Sequence, residues 1–250
     1  MKTSLKSFLN SQKEDYKLLF RNIPSLAITF FFLSVILANL FANKELVSYK
    51  YVALDCGFVF SWAMFLCMDV ICKRYGGKAS IKVSTVALLV NLAASGLFYL
   101  LSLTPGMWGE FYSTESLEVN RALNATFGGT WYIVLGSGLA FMVSSIVNAV
   151  INTLIGGRLI SNNFIAFAIR SYASTIIAQF VDNMIFATVV SKVFFGWTWT
   201  QVFICSAIGA VCELLGEVLF SHIGYRVVCS WEKDKVGEQY LQKKNKIQSA

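Results

Sequence analysis

Six long apolar segments alternate with shorter polar ones along the 250-residue chain. A helix needs roughly 20 apolar residues, at about 1.5 Å of rise each, to cross the hydrocarbon core of a bilayer. The segments are near that length, and they lack the alternation of polar and apolar residues that marks the strands of a membrane barrel. The pattern therefore predicts six transmembrane helices, over residues 23–42, 57–72, 84–103, 131–155, 170–195 and 201–220.

Composition supports a membrane protein over a soluble domain. Only 14% of the residues are charged, compared with about 25% in soluble domains, and the mean hydropathy is +0.61. Backbone groups inside a bilayer must pair within the chain, which favours helices over open sheets. We predict an all-α polytopic membrane protein whose six helices form one bundle and have the lipid bilayer as a partner.

The distribution of positive charge predicts the topology. If both termini are cytoplasmic, 17 of the 21 lysine and arginine residues lie on the cytoplasmic side, as the positive-inside rule requires. This bias explains the net charge of +7 without a nucleic-acid partner. The predicted organisation is a cytoplasmic segment 1–22, a membrane domain 23–228 with an extracytoplasmic loop at 104–130, and a basic cytoplasmic tail 229–250.

Several classes of site are not expected. The six cysteines form no close pair of the C-x-x-C type, and His222 is the one histidine, so we predict no metal site and no cofactor. The first 22 residues do not have the pattern of a cleaved signal peptide. The chain has no G-x-x-x-x-G-K-[ST] motif, so we do not expect it to hydrolyse a nucleotide itself.

Polar residues interrupt the fifth apolar segment, which reads "RSYASTIIAQFVDNMIF" over residues 170–186. At about 100° per residue, four of them share roughly a quarter of the helix surface: Ser171, Thr175, Gln179 and Asp182. The fourth segment has a similar stripe, made of Ser144, Ser145, Asn148 and Asn152. Ionisable groups within the membrane usually mark a substrate pathway, although hydrogen bonds that hold helices together are an alternative for the uncharged residues.

Four stretches carry a family resemblance: "ANLFANKELV", "FLCMDVICKRYGGKAS", "FGGTWYIVLGSGLAFMVSSIVNAVI" and "RSYASTIIAQFVDNMIF". Their order and spacing resemble the bacterial queuosine precursor transporters, also called the vitamin uptake transporter-like family, over roughly residues 28–225. The matching positions are Asp69, Tyr75, Gly76, Arg170, Ser174, Gln179, Asp182 and Phe186. The chain departs from the family pattern at Lys73, Ser145, Asn148, Glu213 and His222.

The resemblance implies import of a 7-deazaguanine-type base, a purine-like small molecule, for queuosine salvage in transfer RNA. The residues expected to bind the substrate are Asp182, Gln179, Asn148, Asp69, Asn39, Ser174 and Arg170. Lys73 stands where the family has a glutamate and Glu213 where it usually has a lysine. We therefore predict that Lys73 and Glu213 form an ion pair with exchanged signs.

Other functions remain open at this point. The chain could import another vitamin-like or nucleobase-like molecule, or bind substrate as the membrane subunit of an ATP-driven partner; proton coupling is a further possibility. A structural membrane protein would not account for two polar stripes. We predict that the chain is not an enzyme, because the sequence shows no pairing of a nucleophile with a base. The expected location is the cell (inner or plasma) membrane, with multiple passes.

Overall fold

The computed structural model describes residues 2–109, 116–128, 131–159 and 163–248. Within these ranges the chain is mostly helical, with one antiparallel hairpin of strands β1 (Glu45–Tyr49) and β2 (Val52–Asp55). The helices are α1 (Lys2–Asn22), α2 (Ser25–Phe41), α3 (Phe58–Tyr75), α4 (Gly77–Ser102), α5 (Leu117–Gly128), α6 (Trp131–Arg158), α7 (Phe164–Phe186), α8 (Lys192–Phe195), α9 (Trp199–Lys233) and α10 (Glu238–Gln248). A π-helical turn, Ala187–Ser191, joins α7 to α8.

Helices α2, α3, α4, α6, α7 and α9 correspond to the six predicted apolar segments. Successive helices run in opposite directions; for example, Ser144 and Asn152 of α6 contact Asp182 and Ser174 of α7, respectively. Short connections between most of them explain this antiparallel packing. The bundle therefore has two ends. We call the end that carries β1 and β2 the hairpin end, and the end where α1 and α10 lie the tail end.

The tail end is closed around Tyr75, which is completely buried. Its hydroxyl donates a hydrogen bond of 2.6 Å to the carbonyl of Asn22 in α1. Its ring makes edge contacts with Trp231 of α9, at 6.0 Å between centroids, and with Tyr240 of α10, at 6.1 Å. Lys244 Nζ donates to the Tyr75 carbonyl at 3.1 Å. Part of the predicted basic tail therefore packs on the bundle.

Local sequence fixes where several helices begin. Gly76 has a φ of +88°, a conformation that glycine adopts without a Cβ clash, and it separates α3 from α4. Thr198 and Gln201 form a capping box at the start of α9, which satisfies backbone N–H groups that have no partner in the first turn. The side chain of Asn163 accepts a hydrogen bond from Ala166 N at the start of α7.

The predicted loop 104–130 is only partly described, because residues 110–115 and 129–130 lie outside the described residues, as do residues 249–250 of the predicted tail. Within the loop, α5 packs against Trp108. The rings of Trp108 and Phe127 stack at 5.0 Å, and Trp108 Nε1 donates to Asn124 Oδ1 at 2.9 Å.

Length and composition qualify four stretches as membrane spans: Gly77–Ser102, Phe164–Phe195, Trp199–Lys233, and Leu117–Arg158, which contains α5 and α6 and passes over residues outside the described ranges. A fifth is gained if α1 and α2, which meet at 104°, count as one bent span. Helix α3 does not qualify; its 18 residues include Asp69, Lys73 and Arg74. The multi-pass membrane prediction is confirmed, whereas the count of six spans and the side of the termini stay predictions.

Candidate functional site

The polar face of α7 points into the bundle. Ser171, Thr175 and Gln179 are at most 1% exposed, as the helical spacing predicts. Helix α7 packs against α6 and α9 and also touches α3, so its polar stripe meets polar groups from three other helices. The bundle interior at this level is therefore hydrophilic although the outer surface is apolar.

Asp69 of α3 is the centre of this polar interior and is completely buried. Its Oδ1 atom accepts hydrogen bonds from Asn148 Nδ2 at 2.7 Å and from Asn152 Nδ2 at 2.8 Å. Ser174 Oγ lies 3.5 Å from the same oxygen. Both asparagines belong to the predicted stripe on α6. The structure therefore brings together Asp69, Asn148 and Ser174, three of the residues predicted to bind substrate.

The second carboxyl oxygen of Asp69 faces α7 and α9. Ser171 Oγ contacts both Asp69 Oδ2 and Glu217 Oε1, and Thr175 Oγ1 lies 3.4 Å from Asp69 Oδ2. Glu217 is completely buried, and its Oε2 atom has no hydrogen-bond partner among the described residues. We call Asp69, Ser171 and Glu217 the inner cluster.

Arg170 lies beside the inner cluster on the side of the tail end. Its Nε donates to Asn152 Oδ1, and its Nη2 lies 3.8 Å from Cys72 Sγ. Asn152 therefore joins the guanidinium to the carboxyl group of Asp69. Gly156 permits this arrangement, because a Cβ there would lie 2.6 Å from Arg170 Nη1. Arg170 is thus linked to Asp69 through the amide of Asn152 rather than by a direct ion pair.

A second polar layer lies nearer the hairpin end. Asp182 Oδ1 accepts a hydrogen bond from Ser144 Oγ at 2.6 Å. Glu213 Oε1 accepts from Ser61 Oγ at 2.8 Å, and Glu213 Oε2 accepts from Asn183 Nδ2 at 3.3 Å. Two carboxyl groups therefore occupy this layer, each held by neutral donors.

The predicted ion pair between Lys73 and Glu213 requires a correction. Glu213 is bonded to Ser61, which precedes Lys73 by twelve residues on α3. At 1.5 Å of rise per residue, that separation is about 18 Å along the helix axis. The charged neighbours of Lys73 are instead Arg170 and Glu232. The two side chains lie at different depths of the bundle. They therefore do not form an ion pair, although their charges are exchanged relative to the family pattern.

Besides Asp182, two predicted substrate residues form no hydrogen bond with the inner cluster in the described structure. Gln179 is 1% exposed, and within the described part of the chain neither its Nε2 nor its Oε1 atom has a hydrogen-bond partner. Asn39 Nδ2 donates to its own helix, at 2.8 Å from the carbonyl of Val35. Asn39 also lines a separate cavity of about 250 Å³, which Asn91 shares. The structure therefore does not place Asn39 with the other predicted residues.

A cavity of about 960 Å³ enters the bundle from the hairpin end. Its polar lining includes three carboxylates, a lysine and two amides, alongside several aromatic rings. The residues that matter here are Lys44, Glu45, Asp55, Asn183, Glu213, Phe58, Phe127 and Phe186. Glu213 belongs both to this lining and to the second polar layer, so it connects the cavity with the buried interior.

Sequence reasoning did not assign Glu217, Ser171 or Asn152 to the candidate site. The signal was available: Ser171 and Asn152 belong to the two stripes, and Glu217 follows Glu213 by four residues. Side chains four apart share a helix face. The missing information was which other helices those faces meet.

A family model described as "Putative vitamin uptake transporter" matches residues 55–227. The chain belongs to this vitamin uptake transporter family. The match runs from the end of β2 through most of α9 and so covers both polar layers. No curated protein and no solved structure gives a significant match. Membership of a transporter family agrees with the prediction that the chain is not an enzyme.

Proposed function

We propose that this transporter imports a 7-deazaguanine-type base, a precursor of queuosine, across the plasma membrane. The four sequence stretches that resemble queuosine precursor transporters support this substrate class. The proposal includes six spans with both termini in the cytoplasm, supported by the alternating helix directions and the distribution of lysine and arginine. In this topology the hairpin end faces outwards, and the 960 Å³ cavity receives substrate from outside the cell.

The proposal depends most on the position and surroundings of Glu213. It is 7% exposed, lines the cavity, and forms no salt bridge within the described ranges. A deazaguanine presents a ring N–H beside an amino group, and an ionised carboxylate accepts from such a donor pair with both oxygens. We propose that Glu213 replaces its contacts with Ser61 and Asn183 by these two hydrogen bonds.

The remaining lining fits a flat base with a polar edge. Phe58, Phe127 and Phe186 provide aromatic surface beside the carboxylates, and aromatic rings stack on nucleobases. Asn183 can then donate to or accept from a second edge of the base. Asp182 lies behind Asn183, bonded to Ser144, and we propose that it supports the binding layer rather than contacting the base first.

Uptake of labelled 7-cyano-7-deazaguanine tests this function in cells that lack their own importer. We expect Glu213→Gln to weaken apparent affinity by about 10- to 150-fold, because a hydrogen bond to a charged group contributes about 1.5–3 kcal/mol. Glu45→Gln, at the exposed rim of the same cavity, is the matched control and should retain affinity within a few-fold. If the unmodified transporter takes up none of the base, the proposed substrate class is refuted. Uptake of a different vitamin-like molecule would then identify the substrate instead.

A further inference from the structure

The inner cluster has more hydrogen-bond contacts than its hydroxyl group can satisfy. Ser171 Oγ lies within hydrogen-bonding distance of Asp69 Oδ2 and of Glu217 Oε1. A serine hydroxyl supplies one hydrogen, and an ionised carboxylate supplies none. One of the two contacts therefore needs a hydrogen that belongs to a carboxyl group.

Glu217 is the better location for that hydrogen. Asp69 Oδ1 already accepts from the two amide groups of Asn148 and Asn152, which stabilise an ionised carboxylate. Glu217 has the hydroxyl groups of Ser171 and Thr175 beside it rather than amide groups, and its buried Oε2 atom has no partner in the described structure. Burying a charged oxygen without a donor is costly, so Glu217 is favoured in its neutral form.

The charged groups that face the inner cluster also indicate that the two carboxyl groups share one proton. Helix α3 contributes Asp69 and the thiol Cys72, α7 contributes Arg170, and α9 contributes Glu217. Helix α6 contributes only the amides of Asn148 and Asn152, and α4 contributes Ser80, which donates to the Met68 carbonyl. One proton on the carboxyl pair leaves one carboxylate opposite one guanidinium, so the buried group is neutral overall.

We propose that Asp69, Ser171 and Glu217 form a proton-binding site, and that its proton drives the proposed uptake. The coupling role rests on the proposed function, whereas the site itself does not. Glu213 precedes Glu217 by one turn of α9, about 6 Å along the axis, and reaches the cavity. A proton can therefore pass from the cavity through Glu213 to Glu217, and a base bound to Glu213 changes the electrostatic environment of that route.

Infrared difference spectroscopy of the purified full-length protein tests the site without any substrate. The C=O stretching band of a protonated carboxyl group should be present in the unmodified protein at pH 7. Glu217→Gln should remove one such band, whereas Glu238→Gln, at an exposed carboxylate of α10, should leave the protonated-carboxyl bands unchanged. An identical acid band with and without Glu217 would overturn the site.

A second variant keeps the test valid if Glu217→Gln does not fold. Ser171→Ala retains both carboxyl groups and removes the hydroxyl between them. Its acid band should persist but move in frequency, because the carboxyl group loses its hydrogen-bond partner. A band that is unmoved by Ser171→Ala would show that the bound proton, if any, is elsewhere, and would also overturn the site.

Uptake of 7-cyano-7-deazaguanine into proteoliposomes that contain the purified protein tests the coupling role. A pH gradient, alkaline inside, should stimulate uptake by the unmodified protein and should lose that effect in Glu217→Gln. Exchange of labelled for unlabelled base at equal pH should continue in the variant, because Glu217 is outside the binding layer. Uptake that follows a sodium gradient instead would overturn the coupling role. Absence of exchange in the unmodified protein would overturn the proposed function and leave the infrared result standing.

Discussion

The two adjacent glycines at the end of α6 provide a test of the contact between Arg170 and Asn152. A Cβ added at Gly156 would lie 2.6 Å from Arg170 Nη1 and 2.8 Å from Cζ, whereas no atom of the described residues lies within 4 Å of a Cβ at Gly157. Alanine raises helix propensity by about 1 kcal/mol at either position. Any difference between the two variants therefore reports on Arg170.

The expected size of that difference follows from the bond that is lost. The guanidinium ends a flexible side chain, so it can move away from the new methyl group, but Arg170 Nε then leaves Asn152 Oδ1. Hydrogen bonds that involve a charged group contribute about 1.5–3 kcal/mol. We expect Gly156→Ala to be less stable than Gly157→Ala by about that amount.

Unfolding by increasing SDS fractions in mixed micelles, followed by tryptophan fluorescence, measures both variants under the same conditions. The Gly156→Ala protein should unfold at a lower SDS fraction than the Gly157→Ala protein. Equal midpoints would refute the reasoning, since they would mean that Arg170 does not depend on its position between Gly156 and Asn152. Adding Arg170→Gln to each variant should abolish the difference.

Three further predictions concern packing and charge outside the inner cluster. Gly216→Ala should reduce the free energy of unfolding by about 1–3 kcal/mol, measured by the same titration, because its Cβ would lie 2.8 Å from Trp62 Cγ; stability equal to that of the unmodified protein would contradict this packing. Lys82→Gln should cost less than about 1 kcal/mol, because its ion pair with Asp15 is partly exposed and such pairs are weak; a larger loss would contradict that estimate. Burial raises the pKa of Asp55 to about 6 from 3.8, so the folded state holds a proton that the unfolded state releases. Stability should fall as the pH rises from 3.8 to about 6, and Asp55→Asn should flatten that part of the pH profile if Asp55 is its source.

Hydropathy predicted the positions of the helices more accurately than the residues at which they begin and end. The predicted segment 84–103 begins as α4 at Gly77, because Gly76 ends α3 and the first turns of α4 are polar enough to escape a hydropathy criterion. The segment 201–220 continues as α9 to Lys233, where Trp231 packs on Tyr75. A tertiary contact, which no local pattern contains, therefore extends the helix.

The candidate site shows a similar division. The stripe on α7 was predictable because helical periodicity alone places Ser171, Thr175 and Gln179 on one face. The role of Asp69 as the centre of the inner cluster was not, because it depends on how α3 rotates and how deep it lies against α6 and α7. The incorrect pairing of Lys73 with Glu213 has the same cause, because the sequence does not show how deep each side chain lies in the bundle.

The contacts around Tyr75 also bear on the order in which the chain is assembled. Asn22 leaves the ribosome well before Tyr240, which follows it by 218 residues in the chain. At about 5–20 residues per second, roughly 220 residues of synthesis correspond to about 10–45 seconds. During that interval α1 and, once it has been made, α3 remain without α10, so the tail end closes only after α10 has been synthesised. A ribosome stalled before α10 would hold the membrane helices with this end of the bundle still open.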